Sequence, residues 1–356
     1  MRLVMWNVDV LSKSLIQIIA RRKATGVVAD SVETMRRAET RLSGHKLAMN
    51  EVEEIVQLPA FSGSKATSTE NIKLPEAASQ QLSSYVQALA AMYNSNPFHS
   101  FEHASHVTMS VTKLLSRIVA PDNEQATTSE ASLHDHTYGI TSDPLTQFAV
   151  ILSALIHDAD HPGVPNNQLI KEGSAMAKAY EEKSVAEQNS VDLAWQLLMD
   201  GQYADLRRAI YVNESELARF RQLIVNVVLA TDIMDKELKA LRNKRWELAF
   251  AEEGRQDEKA LDSTNRKATI VLEHLIQASD VAHTMQVSSH TPDLLQFIHC
   301  ILTNISFFSI GISTESGICA SSWKCTKRMH KVGPKKTPPK VGIKVKLGFW
   351  IFMLFL

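Results

Sequence analysis

Three stretches of this chain carry side chains that can hold a divalent ion or move a proton. The central one runs Ala154-Leu-Ile-His157-Asp158-Ala-Asp160-His161-Pro-Gly-Val-Pro-Asn166, with the ligand-type pair at the end of an apolar run and a forced turn just after it. Upstream lies Asn96-Pro-Phe-His99-Ser-Phe-Glu-His103-Ala-Ser-His106, and downstream Gln277-Ala-Ser-Asp280-Val-Ala-His283. A histidine alone in a core is usually a satisfied packing residue. An aspartate at the end of an apolar helix is costly to bury unless it is paired or coordinates a metal, and Asp158 and Asp280 are both so placed. Together His103, His157, Asp158 and Asp280 offer two imidazoles and two carboxylates to one ion. That mixed set suits Zn²⁺, with Fe, Mn or Co left open. Asp158 could bridge to a second ion completed mostly by water, which suits Mg²⁺ or Mn²⁺. Two such ions, about 4 Å apart, can share a hydroxide at neutral pH and clamp a phosphate. In-line attack on phosphorus then needs an acid for the leaving oxygen. His99, four residues before His103 and on the same face of a helix, is the natural candidate.

The elements that must position these groups read as helices. Pro144–Ile156 is apolar on every side and delivers His157-Asp158 at its end. From Pro75 a helical pattern runs through Leu82, Val86, Leu89 and Met92, and Asn94-Ser-Asn-Pro97 interrupts it. Pro97 can open the next helix, which carries His99, His103 and Val107. Residues 184–200, 203–211 and 214–230 give three more, Lys236–Glu253 reads as a charged surface helix, and Lys267–Ala278 leads into Asp280. Nearer the N-terminus, Trp6, Leu11, Leu15, Ile18 and Ile19 make residues 5–22 an amphipathic helix packed on the domain. Residues 32–58 look helical and charged, and Phe61–Thr69 is a polar loop. Ala120–Asp143 reads as a long surface loop, in which His134-Asp-His136 is a solvated cluster. Strand and hairpin signals are missing, so the predicted fold class is all-α.

The chain has 38 Lys/Arg against 39 Asp/Glu, a net charge of -1 that gives no reason to expect nucleic acid as a partner. The balance hides an asymmetry: nine of those basic residues and only Asp293 and Glu315 of the acids fall in residues 287–356, as do Cys300, Cys319 and Cys325. The rest of the chain has no cysteine, which suits a reducing compartment. The apolar Leu347–Leu356 is about ten residues long, whereas a membrane span needs about 20.

Read together, His99-(x)3-His103-Ala and His157-Asp-x-Asp-His161-Pro-Gly-x-x-Asn166 resemble the catalytic domain of class I 3′,5′-cyclic-nucleotide phosphodiesterases, of the HD-type metal hydrolase superfamily. Ser184-Val-Ala-Glu187, Ala230-Thr231-Asp232 and Ala278-Ser-Asp280-Val-Ala-His283 are similar to further segments of that family, in the same order. The resemblance covers roughly 75–286 and implies a compact multi-helix fold. It makes His99 the proton donor to the O3′ leaving group. It puts His103, His157, Asp158 and Asp280 on the first metal, with Asp158 shared, and gives His161, Glu187 and Thr231 the second metal's waters. Substrate contacts would come from His99, His103, Asp158, Asp280 and His283. The implied substrate is cyclic AMP, cyclic GMP or both, hydrolysed to the 5′-monophosphate. Two departures stand out: Ser100 follows His99 where the family has asparagine, and His106 replaces an aspartate.

The expected organisation is an N-terminal helical segment over 1–74, the catalytic domain over 75–286, and a basic segment over 287–356 that lacks the family's usual C-terminal helices. That segment is either an appendage touching a membrane surface or a retained intron, since Gln286-Val287-Ser288 can be encoded by a splice-donor consensus. The intron is the favoured reading. A metal centre without a base-binding wall is then expected to bind metal and turn over slowly. The alternatives are a non-catalytic metal-binding remnant or another HD-type phosphohydrolase. The expected location is the cytoplasm, or the cytosolic face of a membrane if the chain belongs to a larger protein. Oligomeric state is left open.

Overall fold

The computed structural model describes residues 1–43, 50–53, 55–61, 63, 69, 72–119, 130–250 and 260–284. All of them belong to one unit, Met1–Ser289. In chain order the helices are α1 Arg2–Thr25, α2 Val32–Leu42, α3 Asn50–Glu53, α4 Glu76–Met92, α5 Phe101–Val119, α6 Glu130–His136, α7 Pro144–Ile156, α8 Asn166–Lys171, α9 Ala175–Ala179, α10 Val185–Met199, α11 Ala204–Ile210, α12 Glu214–Leu229, α13 Lys236–Phe250 and α14 Ala260–Thr284. No strand occurs among the described residues, so the fold class is all-α.

The centre is α7. Every residue from Leu145 to Ile156 is buried, as an apolar helix without a polar face requires. α1, α5 and α12 pack around it, with α10 and α14 completing the shell. α7 has a proline in its first turn and ends at His157, so the most buried helix of the molecule terminates on a ligand-type side chain. α1 is long and apolar enough by composition to cross a membrane, yet Leu11, Leu15 and Ile18 are buried where it packs on α4 and α7. It stops at Gly26, which adopts φ +66°, the left-handed geometry that glycine reaches without strain. Arg22, near the end of α1, donates to the Glu216 carboxylate and to the Ala209 and Ile210 carbonyls, which ties the helix end to α11 and α12.

Four local expectations differ from the structure. The stretch 32–58 is not one helix: α2 ends at Ser43, a short α3 follows, and residues 55–61 are irregular. The second half of the expected surface loop is ordered as α6 and a turn of 3₁₀ helix over Ile140–Ser142. His134 in α6 is half-buried, bonds through Nδ1 to the Ser142 hydroxyl at 2.5 Å and packs its ring on Phe61, a structural role that polarity alone concealed. The short helices α8 and α9 were not visible as periodicity, being only about a turn and a half each. And α13 is not simply a surface helix.

That last difference has an energetic consequence. Arg245 on α13 is buried and forms an ion pair with the equally buried Glu273 on α14, while its Nη2 donates to the Val52 carbonyl at 2.9 Å. Removing one member leaves the other charge uncompensated in the core. Arg245→Ala is therefore expected to destabilise the fold by about 3–5 kcal/mol. The apolar double replacement Arg245→Met with Glu273→Leu is expected to recover most of that loss in urea denaturation. Equal midpoints for wild type and Arg245→Ala would mean the pair is not structural.

Candidate metal centre

Three elements deliver the central cluster: α5 brings His103, the end of α7 brings His157 and Asp158, and the last turns of α14 bring Asp280. His103 Nε2 stands 2.9 Å from Asp280 Oδ1 and 3.6 Å from Asp158 Oδ2. His157 Nε2 stands 3.2 Å from Asp158 Oδ2 and 3.7 Å from Asp280 Oδ1. All but Asp280 are buried, and Asp280 is half-buried. His157 donates Nδ1–H to the Ala154 carbonyl at 3.0 Å, which leaves Nε2 as the nitrogen facing the carboxylates. Buried His157 Nε2 and Asp158 Oδ2 have no hydrogen-bond partner of acceptable geometry despite their proximity. Two orphaned donor atoms inside a ring of imidazole and carboxylate groups fit a divalent cation.

Charge follows the same geometry. Burial would lower the His157 pKa, but Asp158 and Asp280 outweigh it and hold the imidazole well above its usual range. Burial would raise Asp280, but the hydrogen bond with His103 and the nearby His157 imidazole hold it below the usual carboxylate range.

His99 reaches the cluster by a route the sequence did not indicate. α5 begins at Phe101, and residues 97–100 form bends, so His99 is not on the helix of His103. The reason is Ser100, whose hydroxyl accepts from His103 N at 3.2 Å and so caps the helix one residue past His99. His99 is nevertheless brought in. Its ring stacks on His161 with centroids 3.6 Å apart and 17° between planes, while Phe98 packs edge-on to His99 and against His103. Ligand-type atoms of His99, Asp158 and His161 all lie within 4.8 Å of one another, so this trio could also hold an ion. Burial lowers the pKa of both rings, His161 to about 4.

The turn after Asp158 is braced on all sides. Asp160 sits at φ +58°. Its N–H donates to the Met92 carbonyl, and its carboxylate accepts from Asn94 and Asn189 at 3.0 and 3.2 Å. The fixed backbone turns His161 inward, where Nδ1 accepts from Gly163 N–H at 3.0 Å.

A second polar group lies alongside. Asn166 Nδ2 donates to Glu187 Oε2 at 2.8 Å and to Asp232 Oδ2 at 3.2 Å, and its Oδ1 accepts from Ala186 N–H. Ser184 also donates to Asp232 Oδ2. Burial, with Asp232 next in effect, raises Glu187 to about 7. Thr231 donates its hydroxyl to the Val228 carbonyl at the end of α12. The side chain of His283 lies outside the described residues. The sequence motifs included Asn166, Ser184 and Asp232, but nothing in their spacing marked them as one hydrogen-bonded unit around Glu187.

An all-helical chain that gathers two histidines and two aspartates into one buried cluster has the makings of a metal-dependent hydrolase. The family model for 3′5′-cyclic nucleotide phosphodiesterase matches residues 98–291, more than half of the chain, and the chain belongs to that family. A probable 3′,5′-cyclic-AMP phosphodiesterase, pde-4, of Caenorhabditis elegans is 28% identical over 202 residues, which is 57% of this chain and 27% of that protein. The human dual specificity calcium/calmodulin-dependent 3′,5′-cyclic nucleotide phosphodiesterase 1C is 31% identical over 156 residues, 43% of this chain and 19% of that protein. The chain thus spans about a quarter or less of the length of these relatives. Among solved structures, the phosphodiesterase domain of the RhoPDE fusion protein from Salpingoeca rosetta matches with a TM-score of 0.44 and 24% identity over 57% of this chain and 56% of that one.

Proposed function

We propose that residues 75–286 form a domain that hydrolyses 3′,5′-cyclic AMP, cyclic GMP or both to the 5′-monophosphate, and that residues 287–356 lie outside it. The observation that carries this reading is the convergence of His103, His157, Asp158 and Asp280, with Nε2 of His157 and Oδ2 of Asp158 buried and unsatisfied and His99 beside Asp158. Those four residues would hold a first ion, Zn²⁺. Asp158 would be shared with a second, Mg²⁺ or Mn²⁺, whose waters fall to His161, Glu187 and Thr231. When bound, the ions supply Lewis-acid charge stabilisation at the phosphate and a water made nucleophilic at neutral pH.

The chain's own residues do the rest. His157 keeps one tautomer through Ala154, so its ligand nitrogen cannot turn away. His99 in its imidazolium form donates a ring proton to O3′ as the P–O3′ bond breaks. Burial lowers its pKa, which makes the imidazolium a stronger acid, while the nearby Asp158 carboxylate opposes that fall. The stacked His161 restricts where the His99 ring can point. Phe98, exposed at the edge of the site, offers an aromatic face to substrate. We place the protein in the cytoplasm, or at the cytosolic face of a membrane as part of a larger chain.

The test is turnover of purified protein on both cyclic nucleotides, with 5′-monophosphate as the product. Hydrolysis that a chelator abolishes and Zn²⁺ with Mg²⁺ restores is the expected result. Bound metal without turnover of either substrate would leave a metal-binding remnant. Turnover confined to other phosphoesters would favour a different HD-type hydrolase.

A further inference from the structure

Arg242 and Gln277 have no part in the chemistry above, yet both point at the same turn. α12 ends at Leu229, and the carbonyls that follow have no partner within the helix. Two of them are taken by side chains from other elements: Gln277 Nε2, on α14, donates to the Ala230 carbonyl at 2.8 Å, and Arg242 Nη2, on α13, donates to the Asp232 carbonyl at 2.9 Å. Thr231 lies between these two anchored peptides. The side chain of Asp232 is then engaged from the other direction. Oδ1 accepts from the N–H groups of Met234 and Asp235, and Oδ2 from Ser184 and Asn166. Asn166 passes the constraint to Glu187.

A helix end can be closed more cheaply, by a glycine or by water. Here a guanidinium and an amide from two separate helices fix two peptides, 230–231 and 232–233, on either side of the 231–232 peptide. Gln277 also lies one turn before Asp280 on α14, so a single rigid helix sets both a first-ion ligand and the 230–232 turn. Loss of either donor frees a peptide plane to rotate. Because Asp232 is bonded at both carboxylate oxygens, that rotation is transmitted to Asn166, and from it to Glu187.

We propose that Arg242 and Gln277 are positioning residues for the second divalent ion: by clamping Ala230–Asp232 they set the places of Thr231 and, through Asp232 and Asn166, of Glu187. This rests on the second-ion reading given under Proposed function.

The test uses the full chain with its first site loaded with Zn²⁺, titrated with Mn²⁺ alone while free Mn²⁺ is followed by electron paramagnetic resonance. Arg242→Met is expected to weaken Mn²⁺ binding by roughly tenfold, the lower end for groups that orient ligands from outside the coordination sphere. Zinc content should stay at the wild-type level. Arg242→Lys, which can still reach the carbonyl, should restore most of the affinity. Gln277→Met should act as Arg242→Met does, and it carries the test alone if Arg242→Met fails to fold. A merely structural role would lower the melting temperature of these variants and leave Mn²⁺ affinity within twofold of wild type, and that result overturns the inference. A zinc-loaded wild-type chain that takes up no Mn²⁺ removes the second ion itself, a failure readily told apart from the first.

Discussion

Asp158→Ala protein is expected to leave purification with less than about a tenth of the wild-type zinc and with no measurable turnover, because outer-shell losses alone cost 10–100-fold in metal affinity and this is a ligand. Asp158 Oδ2 lies close to both imidazoles, at 3.2 Å from His157 Nε2 and 3.6 Å from His103 Nε2. On the reading proposed above, the substitution would remove a first-ion ligand and the group shared with the second ion at once. His103 and Asp280 stay bonded to each other at 2.9 Å, so helices α5 and α14 keep their contact and the protein should still fold. Metal analysis alongside circular dichroism therefore separates ligand loss from unfolding. Full zinc occupancy in a folded Asp158→Ala chain would remove this residue from the metal set.

His99→Ala should do the reverse. Zinc is retained, since the four ligand groups are untouched, while hydrolysis of cyclic nucleotide falls by about 10²–10⁴-fold, the usual contribution of a positioned proton donor. The discriminating measurement is a second substrate. An aryl phosphodiester such as bis(p-nitrophenyl) phosphate expels an anion that needs no proton, so its hydrolysis should fall far less. Equal losses on both substrates would mean His99 positions or ligates rather than donates. Ligation is a concrete rival, because His99 lies with Asp158 and His161 in a group that could hold an ion.

Long apolar periodicity made much of this molecule readable in advance. α7 could be bounded from the sequence because Pro144 opens it and, apart from Gln147, every residue through Ile156 is apolar or small enough to bury. The clustering of His103, His157, Asp158 and Asp280 was accessible because Asp158 and Asp280 follow apolar stretches, where a buried charge needs a partner, and because the order His…His-Asp…Asp resembles the HD-type metal hydrolases. His99 was misplaced on α5 because the capping strength of Ser100 was overlooked in favour of Pro97. Arg242 and Arg245 were read as solvated because composition cannot tell which charges of a mixed helix turn inward; that is decided by partners elsewhere in the fold, the Asp232 carbonyl for Arg242 and Glu273 for Arg245. The hydrogen-bonded unit of Ser184, Asn166, Glu187 and Asp232 was illegible for a similar reason: its members come from the ends of different helices, and only the fold makes them neighbours.

His103 and Asp280 touch across 177 residues of chain. In folding, such a contact forms only after a long loop has closed, and the entropic cost of that closure precedes any gain from the contact. The ion therefore meets a complete set of ligands only when α5, α7 and α14 have already docked. Zinc should leave the refolding rate nearly unchanged and slow unfolding instead, since its stabilisation belongs to the native state and not to the barrier. A chain that captures its metal would by then have docked α5, α7 and α14, and its residence time before proteolysis is expected to lengthen with free zinc.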